Sequence, residues 1–173
     1  MIDFMHDLQS SFFNNTVIER LQSDAQWKLS VDQQTSGLQS GKSDAGFLFL
    51  TYFEKPLIED PFFNTVGEII FDSVLQNSEF QFNNIRLMRF NYNYYNQSSN
   101  GVDHIDFDDN NTYSIIYNFN DNDGGTMVNG KFYQSKQSAA LMFPSNFIHK
   151  GIGPKLDKQR YALNIIFQGI LKK

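Results

Sequence analysis

Arg160-Tyr161-Ala162-Leu163-Asn164-Ile165-Ile166-Phe167 alternates along its length between two kinds of side chain. Side chains of a strand point to opposite faces with period two, so Arg160, Ala162, Asn164 and Ile166 share one face. Tyr161, Leu163, Ile165 and Phe167 share the other, which reads as a core face. An arginine and an asparagine turned inward are costly without polar partners. A dicarboxylate is one such partner, because a guanidinium grips a carboxylate through two parallel hydrogen bonds.

Working outward, Tyr113-Ser114-Ile115-Ile116-Tyr117-Asn118-Phe119 repeats the pattern. Tyr113, Ile115, Tyr117 and Phe119 lie on one face, and the more polar Ser114, Ile116 and Asn118 on the other. Asp121-Asn122-Asp123-Gly124-Gly125 is a turn signal, and Asn129-Gly130 reads as a hairpin turn between Thr126-Met127-Val128 and Lys131-Phe132-Tyr133. Strands are also expected at Phe80-Gln81-Phe82, from Ile85 to Tyr95 and from Ala139 to Phe143. Many short strands with frequent turns predict a β-sandwich or barrel with helices against one side.

The helices come from the first half. Asn14 or Asn15 reads as the N-cap of a short helix bearing Val17, Ile18 and Leu21. Asp60-Pro61 supplies a cap and a first-turn proline for a second helix, with Phe62, Val66, Ile69, Ile70, Ser73 and Val74 at helical spacing. Trp27-Lys28-Leu29 and Phe47 to Phe53 read as strands, and the polar Gly/Ser-rich run 31–46 between them as a loop.

A chain of 173 residues is one domain's worth, long enough to bury a core. We expect a single domain over 1–173, with 1–84 supporting a catalytic core over 85–168. The formal charge of −5 leaves no overall basic footprint for nucleic acid. With no cysteine there is no disulfide, thiolate zinc site or thiol nucleophile. The start, MIDFMHDLQSSFF, lacks the charged end and apolar run of a signal peptide, and no segment has the apolar length to cross a bilayer. A soluble, cytoplasmic protein is expected.

His104-Ile105-Asp106 is a further strand-like pair with both side chains on one face. His149, in Phe143-Pro144-Ser145-Asn146-Phe147-Ile148-His149, can return a second imidazole to it. Two imidazoles and one carboxylate with open positions opposite suit non-haem Fe(II). By itself, a His-x-Asp is more often a surface histidine in an acidic stretch. Zinc can use the same donors, although no His-x-x-x-His spacing is present. A calcium loop starting at Asp106 fails, since its sixth and twelfth positions hold Asn111 and Tyr117 instead of Gly and Glu. His6 stands outside the constellation.

In order along the chain, the segment from Ile85 to Phe167 resembles the 2-oxoglutarate- and Fe(II)-dependent dioxygenase superfamily, in its prolyl 4-hydroxylase-like branch. The resemblance is carried by His104-x-Asp106, Tyr117-Asn118-Phe119-Asn120, Gly124-Gly125-Thr126, Phe143-Pro144-Ser145 before His149, and Arg160-Tyr161-Ala162-Leu163-Asn164. It implies a double-stranded β-helix (jelly-roll) core within a mainly β, α+β chain, with N-terminal helices packed on one sheet. It further implies Fe(II) held by His104, Asp106 and His149, 2-oxoglutarate as co-substrate with its far carboxylate on Arg160, and O2. Asn164, Asn118, Tyr117, Tyr92 and Tyr94 are the remaining candidates for co-substrate contact, and register leaves the choice between Asn118 and Tyr117 open.

Hydroxylation is the implied reaction, because halogenating relatives carry a small residue where this chain has Asp106. The implied substrate is a prolyl or other protein side chain, or a small amino-acid-like molecule. A nucleobase oxygenase and a non-catalytic, ligand-binding jelly roll are the rivals, the first disfavoured by the acidic balance. Small enzymes of this branch occur in bacteriophage genomes, a source that the Asn- and Phe-rich composition would suit. Nothing in the sequence sets an oligomeric state.

Overall fold

The computed structural model describes residues 2–25, 28–29, 47–53, 61–93, 101–156 and 159–171. Their order is β1 (Asp3–Met5), α1 (Ser11–Ser23), β2 (Lys28–Leu29), β3 (Phe47–Phe53), α2 (Pro61–Gln76) and β4 (Phe80–Asn93). The second half is all strand: β5 (Thr112–Asn118), β6 (Gly125–Val128), β7 (Lys131–Gln134), β8 (Ala139–Pro144), β9 (His149–Ile152) and β10 (Arg160–Leu171). The expected loop 31–46, the Asp60 cap, Trp27 and Tyr94 lie outside the described residues. No helix among those described is long and apolar enough to cross a membrane.

The strands form two antiparallel sheets. The larger has the order β1-β8-β5-β10-β4-β3-β2, and the smaller β7-β6-β9. β10 is central in the larger sheet, bonded to β4 on one side and β5 on the other. Its two faces meet different surroundings. Tyr161, Leu163, Ile165 and Phe167 join Ile115, Tyr117, Phe119, Met88 and Phe90 in the main core, under α1 and α2. Ala162 joins Ile116, Leu141, Phe143 and Val128 in a smaller cluster between the sheets. This is a mainly β jelly roll with helices on one face: the strand pattern predicts a sandwich or barrel, and the resemblance implies the jelly roll.

The helices differ from expectation in detail. Ser10, not Asn14 or Asn15, caps α1, its hydroxyl accepting a hydrogen bond from the Phe13 amide at 3.2 Å. Asn14 is instead buried inside the helix, where its Oδ1 accepts the Tyr117 hydroxyl at 2.6 Å and its Nδ2 donates to the Ser10 carbonyl. A polar side chain near the helix start was read as a cap, but a tertiary partner claims it. α2 begins at Pro61 and buries Phe63, Val66, Gly67, Ile70, Phe71 and Val74, so its buried stripe is rotated from the expected one and Ile69 is 40 % exposed. Gly67 brings the helix onto β4: a Cβ there would lie 2.5 Å from the Met88 sulfur.

Turn chemistry sets the smaller sheet. Asn129 and Gly130 both have positive φ, 47° and 78°, as a two-residue primed hairpin turn requires. Gly124 accommodates the backbone of β9, since a Cβ there would lie 2.6 Å from the Ile152 carbonyl oxygen.

The buried Tyr117–Asn14 pair ties α1 to β5, and its loss has a defined cost. Tyr117→Phe leaves the Asn14 oxygen without its donor and should destabilise the fold by about 1–3 kcal/mol in denaturant unfolding. Burial pushes the Tyr117 phenol up from 10.0 to about 12, against the lowering effect of its hydrogen bonds. A raised folded-state pKa means that this contribution is fully present below pH 10 and is lost as pH rises through about 12. The stability gap between wild type and Tyr117→Phe should therefore narrow across that window.

Candidate metal centre and its cleft

The two candidate imidazoles are brought together by backbone pairing. The His104 amide donates to the His149 carbonyl and the His149 amide to the His104 carbonyl, each at 2.9 Å. Residues so paired in an antiparallel ladder present their side chains on the same face. The Gly101 amide donates to the Gly151 carbonyl at 2.8 Å, so 101–104 runs alongside β9 and extends the smaller sheet. The rings of His104 and His149 lie 4.3 Å apart between centroids.

Asp106 is placed by the loop after β8. Its amide donates to the Ser145 carbonyl at 2.9 Å, and its Oδ2 accepts the Ser114 hydroxyl at 2.6 Å. Ser114 in turn meets the Ser145 hydroxyl at 2.8 Å. Phe143-Pro144-Ser145 thus serves the metal cluster from a distance in sequence, by fixing the carboxylate. Asp106 Oδ1 is 3.8 Å from His104 Nε2, and Oδ2 is 3.4 Å from His149 Nε2.

One donor atom from each of His104, Asp106 and His149 lies within 4.8 Å of the others, a spacing at which one ion can be shared. The surroundings suit this use. His104 Nδ1 is 2.9 Å from the Val102 carbonyl and His149 Nδ1 is 2.9 Å from the Phe147 carbonyl. A carbonyl only accepts, so each Nδ1 carries its proton and Nε2, on the side of Asp106, is the ring atom left for a metal. The donor set therefore fits a divalent transition metal on chemical grounds.

Charge in the cluster is strongly coupled. Burial alone would raise the Asp106 carboxyl, but His149, the Ser114 hydroxyl and His104 together hold it well below the usual carboxylate range. Burial and the neighbouring His149 push His104 down, against the Val102 carbonyl and Asp106. For His149, burial is outweighed by the charge and hydrogen bond of Asp106, and its pKa rises.

The cluster opens into a cleft between the sheets that measures about 490 Å³ including its mouth. Arg160 lies in it, 5 % exposed. Its Nε donates to Ser135 Oγ at 2.9 Å, and its Nη2 to Thr126 Oγ1 at 3.1 Å and Asn118 Oδ1 at 3.5 Å. Ser135 also donates to Asn118 Oδ1 at 2.9 Å, so these groups form one network around the guanidinium. Thr126 can reach it because the backbone runs tight at Gly125, where a Cβ would collide with the Tyr133 carbonyl.

The structure thus brings His104, Asp106 and His149 into one cluster, with Arg160, Asn118 and Asn164 on the walls of its cleft or in contact with them. Of the two register alternatives on β5, Asn118 faces Arg160. Tyr117 points the other way, into the helix-covered core, because adjacent strand residues face opposite sides. Tyr92 likewise faces away, stacked 4.9 Å from Tyr161. Arg89, Asn91 and Asn93 line the cleft from β4 in their place. They carry a legible signal, polar residues at period two alternating with Phe90 and Tyr92. Ser135 has no signal of its own in the sequence, whereas Ser114 belongs to a polar strand face and Ser145 to the Phe143-Pro144-Ser145 motif.

No family model and no curated protein sequence matches the chain. Solved structures do match. A Pseudomonas putida prolyl-4-hydroxylase is 12% identical, with a TM-score of 0.62, over 96% of this chain and 92% of its own. A prolyl hydroxylase from Trichoplax adhaerens, solved with a hypoxia inducible factor peptide, is 11% identical with a TM-score of 0.70, over 96% and 83%. The epimerase SnoN from nogalamycin biosynthesis, solved with Fe3+, alpha ketoglutarate and nogalamycin RO, is 7% identical with a TM-score of 0.65, over 99% and 81%. Likeness at such identities is likeness of fold: the chain has the jelly-roll fold of the 2-oxoglutarate–Fe(II) oxygenases.

The serine bracing of Asp106 can be tested without turnover. Ser114→Ala removes the hydrogen bond to the carboxylate and should weaken Fe(II) or Ni(II) binding by about 10–100-fold in calorimetric titration. Asp106→Ala should abolish detectable binding.

Proposed function

We propose that this protein is a 2-oxoglutarate- and Fe(II)-dependent oxygenase that hydroxylates a C–H bond of a prolyl or amino-acid-like substrate. The observation that carries the reading is the conjunction, in one cleft, of the His104/Asp106/His149 cluster and the buried, oriented guanidinium of Arg160. A metal site alone would serve many chemistries. A metal site facing a fixed guanidinium suits a keto acid with a second carboxylate, one end at the cluster and the other at Arg160.

The overall change would be substrate C–H, 2-oxoglutarate and O2 to substrate C–OH, succinate and CO2. Bound iron and 2-oxoglutarate would supply the oxidative chemistry, which belongs to them and not to the protein's own side chains. The chain's residues bind and orient. His104 and His149 offer Nε2 because the Val102 and Phe147 carbonyls hold Nδ1 protonated. Asp106 stays ionised next to them, with Ser114 setting its orientation. Arg160, braced by Ser135, Thr126 and Asn118, takes the far carboxylate. Retention of Asp106 leaves no protein ligand position for halide and supports hydroxylation. The neighbours' peptide and small-molecule ligands support a substrate of either kind.

Succinate formation from 2-oxoglutarate, with Fe(II) and air, is the decisive measurement. Wild type should form succinate in a metal-dependent way even without the prime substrate, and His104→Ala should abolish it. Arg160→Met should raise the 2-oxoglutarate concentration required by roughly 10–100-fold, the worth of a charge-assisted hydrogen-bonded pair. Metal-dependent turnover that never appears, coupled or uncoupled, would sink the enzyme reading and leave a ligand-binding jelly roll.

A further inference from the structure

Arg160 shares its cleft with a second arginine. Arg89 is 8 % exposed and projects from β4 onto the same inner face of the larger sheet. The register sets it opposite Asn164, whereas Arg160 lies opposite Asn93. Four residues of strand, roughly 13 Å at ~3.3 Å per residue, therefore separate the two arginines' positions along the cleft. Arg89 is the one at the metal end: Asn164 opposite it lies two residues from Ile166, the register partner of Ser114, which holds Asp106.

Asn164 beside it is 2 % exposed, and its Oδ1 has no hydrogen-bond partner among the described residues. A buried amide oxygen without a donor is costly, and its place on the cleft wall makes a ligand donor the natural remedy. The two side chains together offer a fork of donors next to a lone acceptor. The fork suits a carboxylate and the acceptor suits an N–H. A carboxylate whose neighbouring carbon bears an N–H presents both, and this is the end of an amino acid or of a peptide chain. An internal peptide residue has no such carboxylate. Asn91, a neutral amide on the same face of β4, lies between this place and Arg160, so the two arginines stand at separate ends of the cleft.

We propose that Arg89 and Asn164 form the prime-substrate subsite, reading a free α-carboxylate and its adjacent N–H, so that the substrate is a free amino acid or the C-terminal residue of a peptide. This rests on the oxygenase reading above and selects within it against internal protein residues. It also assigns Asn164 to the substrate, not to the co-substrate contact expected from the sequence.

The probes are matched pairs: free L-amino acids against their amides, and Gly-Gly-X peptides ending in a carboxylate against the same peptides ending in an amide. Two readouts are taken, succinate formed above the uncoupled rate in the Fe(II)- and 2-oxoglutarate-loaded protein, and the thermal shift of the Zn(II)-loaded protein. At least one acid should bind about 10-fold or more tightly than its amide, the discrimination expected of a charge-assisted contact. Arg89→Met should bring that ratio close to one, Arg89→Lys should keep part of it, and Asn164→Leu should weaken amino acids more than their des-amino analogues. The amino-acid and peptide arms decide which source the carboxylate has.

The proposal is overturned if no acid is preferred over its amide in either readout. It is equally overturned if Arg89→Met instead raises the 2-oxoglutarate requirement by about 10-fold, since the carboxylate at Arg89 would then be the co-substrate's. The acid-over-amide ratio is measured on wild type, so a variant that fails to fold does not shield the idea. An acid preference in thermal shift without any succinate formation would sink the oxygenase reading while leaving the subsite standing.

Discussion

A slip of one residue in the pairing of β10 would turn this molecule inside out. Arg160 and Asn164 would enter the helix-covered core, and Leu163 and Ile165 would face the cleft. Both halves of that exchange are heavily penalised, one by burying a charge among apolar groups and the other by exposing a core face. With β4 and β5 paired on either side, this penalty fixes three registers at once. It is why Arg89, Asn118 and Arg160 share one face, with Met88, Tyr117 and Leu163 on the other.

The metal cluster adds a second constraint, from the smaller sheet. Reciprocal bonds between His104 and His149 place two ligands as a ladder pair, independent of any metal. Asp106 is set by contacts to β5 and to the loop after β8, through Ser114 and Ser145. Two donors thus sit on the smaller sheet and the third is braced from the larger one, all three already oriented. Preorganisation of this kind matters because every hydrogen bond to Nδ1 or Oδ2 made beforehand is one that ligand binding need not order.

Arg160 follows the same logic on the opposite wall. Among its partners are two hydroxyls and an amide oxygen, which orient the guanidinium. The motifs in the sequence find a physical reason here: Gly124-Gly125-Thr126 delivers a hydroxyl to Arg160, and Asn120 closes the ladder end by accepting the Tyr161 amide at 2.9 Å.

What the sequence by itself determined is whatever depends on local period and turn chemistry. The strand faces of β5 and β10, the Asn129-Gly130 hairpin and the start of α2 at Pro61 were legible, because alternation and φ preference are properties of neighbouring residues. The grouping of His104, Asp106, His149 and Arg160 comes from the resemblance, and the structure brings the four to one cleft. Only the tertiary structure decided which polar side chains found partners. Asn14 reads as a cap and is the acceptor for Tyr117; Ser135 reads as an ordinary serine and is a brace, and the bracing roles of Ser114 and Ser145 appear only in the fold. On β4 the aromatic residues drew notice, yet the polar ones line the cleft, because the face a strand turns to the core is set by the sheets and helices that cover it. Hydrogen bonds between residues far apart in sequence leave no periodic mark, so they appear only once the chain has folded.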